Sequence, residues 1–154
     1  MKPLALLVLA LFSLNTYAQK VVYEENLVTV DGQPYCKLTK TNCKLGLCDY
    51  HVATLDGAEV IFIKAMSYDD RDKVSSSSPN GRVIYFDWTF LGSGGKAETD
   101  QTSAKNLVKA MVDARLLKDG LLDTTGERNF IAINGTRHTR RQEQLGLPVI
   151  IIQR

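Results

Sequence analysis

The segment Arg82 to Leu91 constrains this chain more than any other. Ile84, Phe86, Trp88 and Phe90 alternate there with Val83, Tyr85, Asp87 and Thr89. A period of two marks a β-strand, because successive side chains leave opposite faces. Four large apolar side chains on one face demand a core to cover them. Gly92-Ser93-Gly94-Gly95 ends the strand, and a helix is predicted soon after. Ser103 is its expected N-cap and Gly120 its expected C′ residue. Leu107, Val108, Met111, Ala114 and Ala104 recur at helical spacing, while Lys105, Lys109 and Asp113 fall on the outer side. That apolar stripe is expected to pack on the aromatic face of the sheet.

Upstream, β-branched runs meet across turn residues. Leu27–Val30 faces Tyr35–Leu38 across Asp31-Gly32, and His51–Leu55 faces Glu59–Ile63 across Asp56-Gly57. Asp-Gly tolerates positive φ at both turn positions, so each reads as a hairpin. Pro34 cannot donate to a ladder, which places it at an edge or a bulge. Asp69 to Gly81 is a polar connection rich in serine. Downstream, Asn129–Ile133 reads as a short strand ending at Asn134-Gly135. Thr139 to Gln142 fits a capping box, with a short helix toward Gly146. Val149–Ile152 is a continuous β-branched run, read as a strand buried on both faces. The predicted class is α+β: an antiparallel β-meander of about six strands, packed by one main α-helix, with a short C-terminal strand returning to the sheet.

The first 18 residues read as a cleavable leader. Lys2 is the positive start, Leu4 to Leu14 is apolar but for Ser13, and Thr16-Tyr17-Ala18 offers small residues at a cleavage site before Gln19. The apolar run is too short for a stable membrane span, and no later stretch approaches spanning length. The expectation is a signal peptide over 1–18 and a single globular α+β domain over 19–154, placed in the periplasm or secreted. Removing 18 of 154 residues leaves 136, enough for a core without staples. The formal charge of +2 becomes +1 once Lys2 is lost. So small a charge gives no global attraction to nucleic acid or anionic membrane.

Cys36, Cys43 and Cys48 lie within one short stretch. In an oxidising compartment two of the three are expected to pair and one thiol to be left over. The spacing does not decide which. With His51 they form C-x6-C-x4-C-x2-H, whose order resembles a CCCH zinc finger with a shortened last spacing. Export favours oxidation over zinc, so no metal or other cofactor is expected. Gly92 to Lys96 sits where a phosphate loop would, but Phe90 and Ala97 stand where glycine and Ser or Thr are required. The Asp69-Asp70-Arg71-Asp72 run lacks the calcium-loop frame.

Arg137, His138, Arg140 and Arg141 are the one basic cluster, a candidate patch for an anionic ligand. No aromatic residues interleave it, which argues against a single-stranded nucleic-acid platform. Nearby arginines would depress the His138 pKa. No Gly-x-Ser-x-Gly elbow is present. A Cys–His pair from Cys36 or Cys48 with His51, or a carboxylate pair among Glu24, Glu25, Glu59 and Asp87, would have to be assembled by the fold. Asn134-Gly135-Thr136 matches a glycosylation acceptor. The expected function is an exported, non-enzymatic binding or interaction module, with another envelope or extracellular protein or an anionic ligand as partner. The competing expectation is a small secreted hydrolase whose site joins residues distant in sequence.

Overall fold

The computed structural model describes residues 19–44 and 46–148. Seven strands form one sheet: β1 (Val21–Glu24), β2 (Leu27–Val30), β3 (Gln33–Lys44), β4 (Leu47–Ala53), β5 (Glu59–Asp69), β6 (Arg82–Phe90) and β7 (Lys96–Asp100). They pair in chain order, every neighbour antiparallel. Then come α1 (Ala104–Asp113), a small hairpin of β8 (Leu117–Lys118) and β9 (Leu121–Leu122), α2 (Thr124–Asn134) and α3 (Arg137–Gln144). The class is mixed α+β, with seven strands rather than about six. The Val149–Ile152 run and the leader lie outside the described residues. No helix among the described residues is long and apolar enough to cross a membrane.

The β2–β3 hairpin turns at Asp31 and Gly32, both at positive φ. Pro34 sits at the register shift that follows, where the bulge removes the need for its missing N–H. The β4–β5 hairpin, predicted to turn at Asp56-Gly57, is wider than expected. Thr54 N–H donates to the Ala58 carbonyl at 2.8 Å, so Leu55 belongs to the turn.

The strand over Arg82–Phe90 separates two environments. Phe86, Trp88 and Phe90 are buried against the inner faces of β4 and β5 and against the helices, whereas Ile84 near the strand's start is only half-buried. From α1, Leu107, Val108 and Met111 supply the cover. From α2, the Phe130 ring lies 4.8 Å from Trp88 and 6.1 Å from Phe90. Tyr35 fastens the end of α1 to β3: its hydroxyl donates to the Met111 carbonyl and accepts from Leu117 N–H at 3.1 Å.

Strands β1, β7, β8 and β9 have no counterpart in the sequence reading, and three predicted features come out differently. Helix α1 begins on Ser103 as expected, but ends at Asp113, well before Gly120. Arg115 takes the left-handed C′ position, φ +52°, in a Schellman motif: its N–H donates to Val112 and Leu116 N–H donates to Met111. Gly120 instead shares the β8–β9 turn with Asp119, both at positive φ. Second, Asn129–Ile133 is helical. Asp123 caps α2 by accepting the Gly126 N–H at 2.6 Å, and Phe130 faces the core while Ile133 faces water. Gly126 is required there, because a Cβ would lie 2.3 Å from the Arg115 carbonyl oxygen. Third, α3 starts two residues before Thr139, so there is no capping box; Gln142 bonds elsewhere, to the Tyr85 hydroxyl.

Candidate functional site

The sheet's second face carries the chemistry. Register places Thr39, His51, Phe62, Thr89 and Lys96 in one row across β3 to β7. A parallel row sets Lys64, Asp87 and Glu98 side by side on β5, β6 and β7. One end of this face is covered by α3, and the row through His51 and Phe62 remains half-exposed.

The covered end is a polar assembly. Helix α3, Arg137 to Gln144, contains no apolar residue. Its N-terminus lacks a side-chain cap from Thr136. The carboxylate of Glu98, 2% exposed, takes that place: it accepts the His138 N–H at 2.6 Å, the Thr139 N–H at 3.1 Å and the Thr139 hydroxyl. A carboxylate at a helix N-terminus satisfies orphan donors and opposes the helix dipole. His138 stacks on Tyr85, with ring centroids 4.5 Å apart, and its Nε2 lies 3.2 Å from Asp100 Oδ1. Burial lowers its pKa below the usual 6.5, and the Arg137 charge adds to this. Arg141 grips Asp70 through two bonds, at 2.8 and 2.9 Å, and also reaches Asp72. Those bonds hold the Asp70 carboxyl down to about 2.

The four basic residues singled out by sequence are therefore used differently. Arg137 pairs with Asp100 at 2.8 Å, His138 is buried, and Arg141 is held by Asp70 and Asp72. Arg140 alone is exposed without an ion pair among the described residues. The acidic run likewise serves structure: Asp69 faces Arg82 at 3.8 Å, while Asp70 and Asp72 hold α3.

On the open half, His51 is fixed at both nitrogens. Nδ1 lies 2.7 Å from Glu59 Oε1 and Nε2 lies 3.0 Å from Thr41 Oγ1. In the neutral ring with its proton on Nδ1 toward the carboxylate, Nε2 is the atom that accepts from the threonine hydroxyl. This is the order of groups in a hydroxyl–imidazole–carboxylate relay. The ring also packs on Phe62 at 4.8 Å. Asp87, half-buried in the adjacent row, has its pKa raised by burial, an effect that Lys96 partly opposes. Of the carboxylates considered from sequence, Glu59 and Asp87 share this face, whereas Glu24 and Glu25 sit at the β1–β2 turn.

The cysteines are divided. Cys43 and Cys48 form a disulfide across the β3–β4 turn. Cys36 is fully buried on the inner face with its thiol, and burial pushes its pKa up to about 12. His51 lies on the opposite face, so neither a Cys–His pair nor the C-x6-C-x4-C-x2-H set assembles. No group of three or more metal-ligating side chains gathers among the described residues. The glycine loop Gly92–Gly95 leads into strand β7 rather than a helix, which removes the geometry of a phosphate loop.

Sequence reasoning missed the Thr41–His51–Glu59 set and the role of Glu98. The first left only a period-two hint, Thr41 two residues beyond the residue opposite His51. The second left no local signal. No protein-family model matches the chain, and no characterised protein or solved structure matches it significantly.

Proposed function

We propose that this chain is an exported, non-enzymatic binding module, one globular domain following a cleaved leader, whose partner docks on the open half of the outer sheet face. The observation that carries this reading is the uneven covering of that face. Helix α3 seals one end, while the row through His51 and Phe62 stays half-exposed. A half-buried aromatic ring among charged and hydroxyl side chains has the composition of a protein-binding surface. Lys37 and Lys64 lie on the same side without an ion pair among the described residues, whereas Lys96 is paired with Asp87 at 3.9 Å, so an acidic segment of another extracytoplasmic protein, or a smaller anionic ligand, is the favoured partner. In the basic cluster Arg140 is the residue that keeps a charge without an ion pair among the described residues.

A photo-crosslinking residue placed at Thr39 should yield a discrete adduct in intact cells, and one at Lys105 on α1 should not. Equal labelling from both sites, or none from Thr39, removes the outer face as the docking surface. Mass spectrometry of the exported protein should find Gln19 at the N-terminus; retention of Met1 refutes export.

The relay of Thr41, His51 and Glu59 favours a second reading, a small hydrolase. Here His51 Nε2 takes the Thr41 hydroxyl proton as the oxygen attacks an ester carbonyl, and returns it to the alcohol that leaves as the ester C–O bond breaks; water, deprotonated by the same nitrogen, then releases the acid and restores Thr41. A chromogenic acetate ester separates the two. Turnover abolished by His51→Gln supports the hydrolase, and a background rate unchanged by the substitution leaves the binding reading.

A further inference from the structure

Helix α2 presents Thr124, Glu127, Arg128 and Ile131 at i, i+3, i+4 and i+7, all on one helix face. These four residues line a cleft of about 350 Å³, whose other wall is Ser93 and Gly95 from the β6–β7 turn. This cleft is separate from the outer sheet face. Glu127 is only 6% exposed, an unusual position for a carboxylate without a cation beside it. Its Oε1 accepts the Ser93 hydroxyl, and Ser93 Oγ in turn accepts the Gly95 N–H at 2.9 Å. Its Oε2 accepts no hydrogen bond among the described residues. Arg128, exposed on the same wall, has no ion pair among them.

The turn is shaped to these groups. A Cβ at Gly95 would stand 2.6 Å from Ile131 Cδ1 and 3.1 Å from Glu127 Oε1. Glycine thus lets the backbone close over the carboxylate, and any larger residue would push into it. The cleft offers a solvent-accessible carboxylate oxygen, Glu127 Oε2, with no protein donor among the described residues, an unpaired cation on the same helix face, two hydroxyls and one apolar side chain.

We propose that this cleft binds a small zwitterion of the α-amino acid class. The ligand ammonium donates to Glu127 Oε2 and to the remaining lone pair of Ser93 Oγ. Its carboxylate meets the Arg128 guanidinium and the Thr124 hydroxyl, toward the α2 N-terminus, where the helix dipole favours negative charge. An aliphatic side chain lies against Ile131. A simple amine fits less well, because Arg128 repels it. A simple carboxylic acid fits less well, because Glu127 does.

Three probes of one shape test this: leucine, isopentylamine and 4-methylpentanoate, titrated into the folded protein with backbone amide shifts followed by NMR. Leucine should move the Gly95, Thr124 and Arg128 amides, and each single-charge probe should bind about tenfold more weakly or worse. Glu127→Gln should weaken leucine by about tenfold or more. That substitution disturbs the Ser93 bond, so Arg128→Gln, at an exposed position, provides a variant that keeps the fold. It should weaken leucine and spare isopentylamine. Equal binding of the three probes, leucine affinity unchanged in both variants, or no shift with leucine at tens of millimolar would each overturn the proposal.

Discussion

Glu98→Gln tests how α3 is held to the sheet. The helix has no apolar side chain of its own, so its docking rests on the His138 ring stacked on Tyr85 and on polar contacts: Glu98 at its N-terminus, Gln142 to Tyr85 at 2.9 Å, and Arg141 to Asp70. The carboxylate accepts from two N–H groups and one hydroxyl. An amide of the same shape keeps one acceptor oxygen and turns an NH2 group toward donors. One charge-assisted bond is then lost, worth about 1.5–3 kcal/mol, together with part of a helix-dipole interaction of about 0.3–1 kcal/mol. A net loss of about 2–3 kcal/mol corresponds to about 30- to 150-fold. Hydrogen exchange reads this directly. The α3 amides should exchange faster by that factor. In the unsubstituted protein they should already exchange faster than the Trp88 amide, because α3 can leave while the inner core stays packed. Urea unfolding should lose no more than the docking energy of α3. Exchange of α3 within about threefold of the parent protein, or α3 amides as protected as Trp88, would refute the reasoning.

Acid should loosen the same helix in two stages, followed by the Tyr85–His138 ring contact in NMR spectra. His138 is held neutral by burial, with its pKa below 6.5, so its share of stability is full above pH 6.5 and falls as pH drops below that value. Asp70, held at about 2 against an ordinary 3.8, contributes above that ordinary value and loses its contribution as pH falls toward 2. Asp87, with its pKa raised by burial, changes in the opposite sense, gaining as it protonates; a ring contact unchanged down to pH 2 would contradict the assignment. Trp88→Ala, at a fully buried side chain that packs on Phe130 and donates to Thr99 at 2.9 Å, should cost about 3–5 kcal/mol in urea unfolding, and a loss below about 1 kcal/mol would move that face out of the core. Thiol titration should find one reactive cysteine per chain in denaturant without reductant and none in the native protein, since Cys36 is buried with a thiol pKa of about 12; prompt native labelling would argue against its placement.

Local chemistry was enough wherever a signal and its consequence lie close in the chain. Asp31-Gly32 fixed a hairpin because both residues accept positive φ, and the alternation through Phe86, Trp88 and Phe90 fixed which side of β6 is buried. Ser103 fixed the start of α1 because its side chain reaches an N–H three residues on. Even the error at Gly120 was local in kind: Asp119-Gly120 is a third Asp-Gly turn, and Arg115 ended the helix in a position that glycine usually takes. The Asn129–Ile133 segment misled because apolar residues in a short stretch fit either period, and the cap that decides, Asp123, lies six residues upstream.

The sites belong to a different level. Glu98 caps a helix that begins almost forty residues later, and Arg141 is paired with an aspartate in the β5–β6 connection, 71 residues earlier in the chain. His51 meets Thr41 and Glu59 only because three strands stand in register. Glu127 faces Ser93 only because α2 packs beside the β6–β7 turn. By itself the sequence determined which side chains must leave water, where several turns fall and that the class is α+β, since these follow from short-range backbone preference and periodicity. Only the tertiary structure decided which charges are consumed in holding α3 and which remain for a ligand, because electrostatic pairing depends on distance in space, and a composition that counts Arg137, His138, Arg140 and Arg141 as one patch carries no record of the carboxylates that meet them.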